Sequence, residues 1–376
     1  MMQVIFAIAT FSGTIIGVGI FGLPYVTMKF GFWPTVLFYF PLLTAVTMII
    51  HLTYGEICLR TDGTHRLPGY AGIYLGKWGQ RISLVSAIVG FYGSMLAYLI
   101  IGSQFTAQLL IPLIGGTELV YILIFFAFSS LVIFLDAKFI ARAEFGSLVL
   151  LLLALVYLLV KGLPLIEPAN FSTGSWQNIF LPYGVIMFSL GGMSVVPELR
   201  EFLGKQAAKL KGVIIAGIAI PVVIYLAFIV LILGLAGAET SRDALSGLSE
   251  ILGEKALIAG FIFGIMATFT SYISVGQTLK KMLWYDFKFE HFIAWVAASF
   301  IPLLLYFIGL KDFLAIIGFT GAVTIGLDGI LTFFIYFKAK QTKSVPAYQV
   351  NLPKFISILI IALFIVGVAL EIYYLA

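Results

Sequence analysis

The chain alternates long apolar runs with short polar joints from one end to the other. A bilayer core of about 30 Å takes roughly 20 helical residues. On that measure the runs predict eleven spanning helices, over 4–30, 33–56, 82–112, 118–135, 143–160, 179–203, 211–236, 256–283, 291–308, 313–337 and 354–375. Two runs are interrupted. In the first, SGTIIGVGIFGLP (Ser12 to Pro24) carries Gly13, Gly17, Gly19, Gly22 and Pro24. Glycine is a poor helix residue and proline lacks the N–H the helix needs, so a break is expected near Gly17 and Gly19. The sixth run holds FSLGGMSVVP (Phe188 to Pro197), where Gly192 precedes Pro197 by five residues, as Gly19 precedes Pro24. Broken helices that each open a block of five predict an inverted repeat. The expected architecture is an all-α polytopic membrane protein of two five-helix repeats, 1–160 and 161–337, with an additional helix in 338–376.

Composition agrees with that pattern and narrows it. Of 376 residues 61% are hydrophobic and 10% charged, with a mean hydropathy of +1.11, which excludes a soluble globular domain. The net charge of +5 does not signal nucleic acid, because the basic residues are sorted by side. Lys29, Lys161, Arg242, Lys255 and Lys311 fall on one face, and the other seventeen of the 22 fall on the opposite face. The basic-rich face is expected in the cytoplasm, with the N-terminus inside and the C-terminus outside. Met1 to Phe30 lacks a basic n-region and is too long for a signal-peptide core, so the first span is expected to be retained. Cys58 is the single cysteine, which excludes an internal disulfide.

The breaks carry the chemistry. A helix interrupted at mid-membrane exposes N–H groups and a positive dipole end on its outer half, and carbonyls on its inner half. Two facing breaks therefore offer a zwitterion both charges it needs. No Lys, Arg, Asp or Glu lies between Met1 and Met28 or between Phe171 and Pro197, so backbone groups must do this work. A free α-amino acid fits, with Val18 and Gly19 N–H on its carboxylate and its ammonium facing carbonyls near Ile15 and from Met187 through Phe188 to Ser189. In the eighth span, Ala267, Thr270 and Ser271 form a small-residue and hydroxyl pattern. With the carbonyls of Gly13 and Ile16 they would give a sodium ion five neutral oxygens. The spacing of Gly17, Gly19 and Gly22 as GxGxxG is not a dinucleotide site, since the strand before it and the acid beyond it are missing.

Other residues invite a role. Asp328 lies about fifteen residues into the tenth span, roughly 22 Å deep at 1.5 Å per residue. A carboxylate at such depth is a candidate proton carrier or gate, or it reaches an inner vestibule or pairs with a lysine. Glu56, Glu198 and Glu201 stand beside Arg60, Arg66 and Arg200 and read as gate or interfacial ion pairs, with Glu198 a second candidate proton carrier. Thr61 to Arg81 mixes aromatic and basic residues as an interfacial segment would. Gly237 to Lys255 predicts one or two short helices covering an outer vestibule, with Thr240 and Asp243 at capping-box spacing. His51, His65, His291 and Cys58 share no metal-site spacing.

Several motifs together resemble a known family. GTIIGVGIFGLPY (Gly13 to Tyr25), LPGYAGIYLGKWGQRI (Leu67 to Ile82), FYGSMLAYLIIGSQF (Phe91 to Phe105) and FSLGGMSVVPEL (Phe188 to Leu199) look like the amino acid/auxin permease family. More distantly they are similar to bacterial aromatic and hydroxy amino acid permeases of the amino acid–polyamine–organocation superfamily. The resemblance implies a leucine-transporter-like fold and secondary active transport of amino acids in a prokaryotic cell membrane. Within that fold, the sodium-coupled transporters' Ala-x-x-Thr-Ser pattern falls on Ala267, Thr270 and Ser271, and their first-helix carbonyls on Gly13 and Ile16. The fifth-helix lysine of proton-coupled relatives is missing from Phe145 to Val160. Where members have an aromatic and a histidine in the sixth span, this chain has Gly192 and Met193. Phe91, Tyr92, Phe188, Val275 and Phe319 are apolar candidates for the pocket wall. The expectation is a sodium-coupled symporter of a neutral, apolar or aromatic amino acid, working without a cofactor. The alternatives are a proton-coupled symporter and an amino acid sensor that binds without transport. No HExxH, GxSxG or paired-carboxylate arrangement supports an enzyme.

Overall fold

The computed structural model describes residues 2–63, 65–135, 140–172, 174–285, 287–342 and 344–375. Among the described residues the regular structure is entirely helical. In chain order the principal helices are α1 (Met2–Ile15), α2 (Gly19–Phe30), α3 (Phe32–Arg60), α4 (Leu67–Ile114), α5 (Glu118–Phe134), α6 (Ile140–Gly162) and α7 (Leu181–Ser189). They continue as α8 (Val196–Leu203), α9 (Leu210–Ala236), α10 (Glu254–Tyr285), α11 (His291–Phe307), α12 (Phe313–Ala339) and α13 (Lys354–Leu375).

Paired as α1 with α2 and α7 with α8, these helices fall on the eleven hydrophobic runs; among the described residues seven stretches are long and apolar enough to cross a membrane, or eight with the bent pair α1 and α2. α1 and α2 meet at a 55° bend. The 59-residue apolar stretch Leu181–Glu239 contains α7, α8 and α9. α5 and α11, at 17 residues each, are shorter apolar helices. One boundary differs from expectation: α4 starts fifteen residues before 82, because the interfacial stretch is helical and runs into the span across Gly76 at φ +75°. Glycine takes that left-handed conformation without a side-chain clash.

The core forms where α1 packs on α9, α2 on α7, and α10 on α4 and α6. Lipid offers no hydrophobic gain for helix pairing, so close approach through small residues decides which faces meet. Gly184 of α7 and Gly318 and Gly321 of α12 bring two backbones into contact; a Cβ on Gly184 would lie 2.7 Å from the Gly318 carbonyl carbon. Gly321 sits in a wider, π-helical turn, Thr320–Ile325, that packs against α7. Such turns recur at functional sites.

On the face that holds the N-terminus, the joint between α12 and α13 is strapped to α3. Glu56 and Arg60 form a buried ion pair at 2.7 Å, with side chains 0% and 6% exposed. The Glu56 carboxylate also accepts the Val350 N–H, and Arg60 Nη1 donates to the Ser344 carbonyl at 2.7 Å. Tyr348 donates to the Leu52 carbonyl at 2.8 Å, and Tyr336 of α12 to that of Val350. Removing one partner of a buried pair strands the other's charge, a cost of about 3–5 kcal/mol. Glu56→Ala is therefore expected to lower the thermal midpoint of the detergent-purified protein by many degrees. Glu198→Ala breaks a pair whose side chains are 44% and 58% exposed, worth ~0–1 kcal/mol, and should leave the midpoint nearly unchanged in the same melting experiment.

Candidate functional site

The first break is built by three consecutive departures from helix. Ile16 N–H closes the last α-helical bond of α1, to the Ser12 carbonyl at 2.9 Å, and Gly17 N–H folds back to the Ile15 carbonyl at 2.9 Å. α2 restarts at Gly19, leaving Val18 and Gly19 N–H without main-chain acceptors among the described residues. These are the positive end of α2. Glycine is required twice here. A Cβ on Gly17 would come within 2.8 Å of the Tyr98 hydroxyl, and one on Gly19 would lie 2.9 Å from Ser189 Cα and closer still to its hydroxyl.

The second break mirrors the first. α7 ends at Ser189, Gly191 N–H turns back to the Phe188 carbonyl at 3.1 Å, and Gly192 is extended at φ −167°. A single turn, Met193–Val195, leads into α8, whose Pro197 occupies the first helical turn, where its missing N–H costs nothing. Gly192 abuts α1: a Cβ there would sit 2.7 Å from the Ile15 side chain and 3.0 Å from Phe11. The two breaks thus lie face to face, Gly19 on Ser189 and Gly192 on Ile15.

A residue absent from the sequence reading joins them. The Tyr225 hydroxyl of α9 stands 2.7 Å from the Ile15 carbonyl oxygen and 2.9 Å from that of Ser189. Two carbonyls expected to face a ligand's ammonium are therefore already paired, and the Phe188 carbonyl is taken by Gly191. Of that group, only the Met187 carbonyl lacks a hydrogen-bond donor among the described residues. The pairing has a physical cause: carbonyls freed by a break are costly to leave unpaired in lipid, and a neighbouring helix supplies a donor.

The proposed cation ligands do come together. Gly13, Ile16, Ala267, Thr270 and Ser271 line one internal cavity of about 70 Å³ between α1 and α10, with Thr14, Tyr98, Leu148, Phe263, Ser274 and Val275. Thr270 donates to the Met266 carbonyl at 2.9 Å, which commits its proton to its own helix. No cluster of His, Cys, Asp or Glu suited to a metal occurs among the described residues. Tyr98 is the second residue that the sequence reading missed. It lies two helical turns beyond Phe91 on α4, a spacing that puts both on one face, and it covers the gap that Gly17 leaves open.

The remaining expectations divide. Val275 borders the cavity, whereas Tyr92 points away from it and donates to the Ala297 carbonyl of α11 at 3.1 Å. Phe91 and Phe319 are half-buried and line neither the cavity nor the cleft described below; Phe319 sits where α12 enters its wide turn. Asp328 pairs with no lysine among the described residues. One of its carboxylate oxygens is enclosed and has no hydrogen-bond partner, one helical turn beyond the Thr324 carbonyl that accepts from Ser86 at 3.2 Å. Glu198 forms the exposed pair with Arg66 at 3.5 Å. With Glu201, Ala7, Thr10, Val195, Leu199 and Phe202 it lines a cleft of about 330 Å³ between α1 and α8. Arg200 ties α8 to the Gly63 carbonyl at 2.5 Å.

On the opposite face, the loop after α9 folds over the outer ends of α2, α4 and α12. Asp243, 3% exposed, accepts from Gln104 of α4 at 2.8 Å, from Ser241 at 2.8 Å and from Ser246 N–H at 3.0 Å. The expected capping box is not formed: Thr240 bonds back to the Gly237 carbonyl, and Asp243 and Ser241 accept the Ser246 and Gly247 N–H groups instead. Arg242 reaches Asp312 at 2.8 Å and lies 5.8 Å over the Tyr25 ring. Hydrogen bonding to the Asp312 carboxylate holds the guanidinium above its ordinary range. Asp312 in turn caps α12, accepting from Leu314 and Ala315 N–H at 3.1 and 3.2 Å.

Comparison with known proteins places this arrangement. "Glutamine transporter 2" of Aliivibrio fischeri is 22% identical over 349 residues, covering 89% of each chain. The crystal structure of MhsT in complex with L-phenylalanine superposes with a TM-score of 0.71 at 16% identity, over 97% of this chain and 98% of that one. Mhp1, a nucleobase-cation-symport-1 family transporter, matches in a closed conformation with bromovinylhydantoin bound, with a TM-score of 0.63, 14% identity and 97% and 90% coverage. Its inward-facing conformation gives 0.64 at 15% identity, over 86% of this chain and 75% of that one. These likenesses show the leucine-transporter-like fold, and the relatives are transporters, not enzymes. The tryptophan/tyrosine permease family model matches residues 1–371, so this chain is an amino acid transporter that belongs to the tryptophan/tyrosine permease family.

Proposed function

We propose that the protein is a sodium-coupled symporter that moves a neutral, apolar or aromatic L-amino acid inward by alternating access. The observation that carries this reading is that Gly13, Ile16, Ala267, Thr270 and Ser271, which can offer only neutral carbonyl and hydroxyl oxygens, line one small cavity beside the first break. Hard monovalent cations take such oxygen sets, and an ion there would tie α1 to α10. The substrate carboxylate takes Val18 and Gly19 N–H, beside Tyr98. Its ammonium takes the Met187 carbonyl, with Gly192 letting Ile15 and Phe11 close up at the wall and Val275 contributing to the apolar part. Residues 1–160 and 161–337 act as the two inverted repeats, with 338–376 appended. The N-terminus faces the cytoplasm of a prokaryotic cell and the C-terminus the outside, as the distribution of Lys and Arg supports. The motif resemblance to the amino acid/auxin permeases, and through them to the amino acid–polyamine–organocation superfamily, supports the same reading, and the permease family match favours transport over sensing.

A proton-coupled reading has one observation of its own, the enclosed and unpartnered Asp328 oxygen. A carboxylate so placed in a membrane helix is a functional candidate by default. Glu198, exposed and paired, fits a gate better than a proton carrier.

Uptake into proteoliposomes separates the two. Under the sodium reading, Thr270→Ala with Ser271→Ala is expected to reduce sodium-driven uptake at least tenfold, and Asp328→Asn to leave it within about twofold. Accumulation driven by a pH gradient in sodium-free buffer, lost in Asp328→Asn and kept in the double variant, would falsify the sodium proposal. Gly19→Ala is expected to abolish uptake while the protein still purifies as a single species, because a methyl group there strikes Ser189 and displaces the N–H groups that receive the carboxylate. Full uptake by Gly19→Ala would remove those groups from the substrate site.

A further inference from the structure

Two half-helices reach the breaks with their carbonyl ends, α1 at Ile15 and α7 at Ser189. Each such end is the negative pole of its helix. The poles converge on one point, the Tyr225 hydroxyl, at 2.7 and 2.9 Å from the two carbonyl oxygens. Tyr225 is 0% exposed, so bulk solvent does not serve these groups. A phenol has one proton to give, and here two acceptors share it. Converging carbonyls from separate half-helices are the kind of arrangement that takes a monovalent cation or an ammonium group inside a membrane protein. In this chain a neutral donor stands there instead. Its helix is otherwise nearly featureless: α9, 27 residues long, has Lys211 near its start and, beyond that, Tyr225 as its one side chain able to form a hydrogen bond.

We propose that the Tyr225 hydroxyl is the built-in occupant of a cation seat where the two breaks meet, so that the substrate's ammonium and the coupling ion bind beside that seat and never in it. The proposal rests on the transporter reading above and deepens it, since one ion per cycle, in the cavity between α1 and α10, is then the expected count. Tyr225 is a positioning residue. It fixes the spacing of the Ile15 and Ser189 carbonyls and withholds them from ions, acting on the substrate only through the main chain.

Thermal melting of the purified protein in N-methylglucamine, sodium and potassium chlorides at equal ionic strength tests this. Thr270→Ala with Ser271→Ala provides a background in which the cavity between α1 and α10 no longer favours sodium. Adding Tyr225→Phe removes one oxygen and frees both carbonyls. An ion that binds only the folded state raises its apparent stability, so the triple variant is expected to gain a concentration-dependent upward shift of about 2 °C or more in sodium or potassium over N-methylglucamine. The double variant is expected to lack that shift. No cation-dependent shift in the triple variant would overturn the proposal and leave Tyr225 as a structural pin. Tyr225→Ala in the same background is read the same way if the phenylalanine variant aggregates. Failure of the sodium reading shows up separately, as a wild-type protein that neither melts higher in sodium nor takes up an amino acid with it.

Discussion

A peptide group inside a bilayer has no water to bind, so each N–H and carbonyl released by a broken helix must meet protein or ligand. That demand organises this molecule. α1 with α2 and α7 with α8 each give up a turn of helix, and the two gaps lie against each other, with Gly19 on Ser189 and Gly192 on Ile15. Tyr225 then bridges the carbonyl ends that remain. Among the described residues, the Val18 and Gly19 N–H and the Met187 carbonyl are left without main-chain partners.

Close packing around the breaks follows from the same geometry. The wide turn of α12 packs against α7 leading up to the break, with Gly184, Gly318 and Gly321 letting the backbones touch. On the two faces, polar side chains close the structure with different strengths. Asp243 and Arg242 fasten the outer loop to α4 and α12, and the exposed Arg66–Glu198 pair and Arg200 hold α8 on the other side. The buried Glu56–Arg60 pair is of another order, since it joins α3 to the segment between α12 and α13 out of reach of solvent.

The structures and relatives that share this frame are named for quite different molecules: glutamine, L-phenylalanine and a bromovinylhydantoin. Under the proposed reading, a scaffold built on main-chain poles would recognise what zwitterions or amides have in common. Discrimination would then fall to side chains near the breaks, Tyr98 and Val275 among them. A fold-level likeness therefore fixes the anchor and leaves the cargo to local chemistry.

Much was legible in the chain alone. Hydropathy fixes where the helices cross, because lipid permits few alternatives. Glycine and proline placed both breaks, since their backbone properties act where they stand. The Ala267, Thr270 and Ser271 pattern named one wall of the cavity, because residues one turn apart share a helical face in any fold. Tyr225 was not legible. It is 210 residues from Ile15, and nothing in an otherwise apolar helix says which carbonyl its hydroxyl will reach. Tyr92 and Tyr98 differ by less than two turns in sequence, yet one faces α11 and the other faces the break. Such outcomes depend on how α4 and α9 are rotated against their neighbours, and that rotation is set by the packing of the whole bundle. Sequence settles properties that belong to one segment, while a hydrogen bond between helices belongs to neither until they meet.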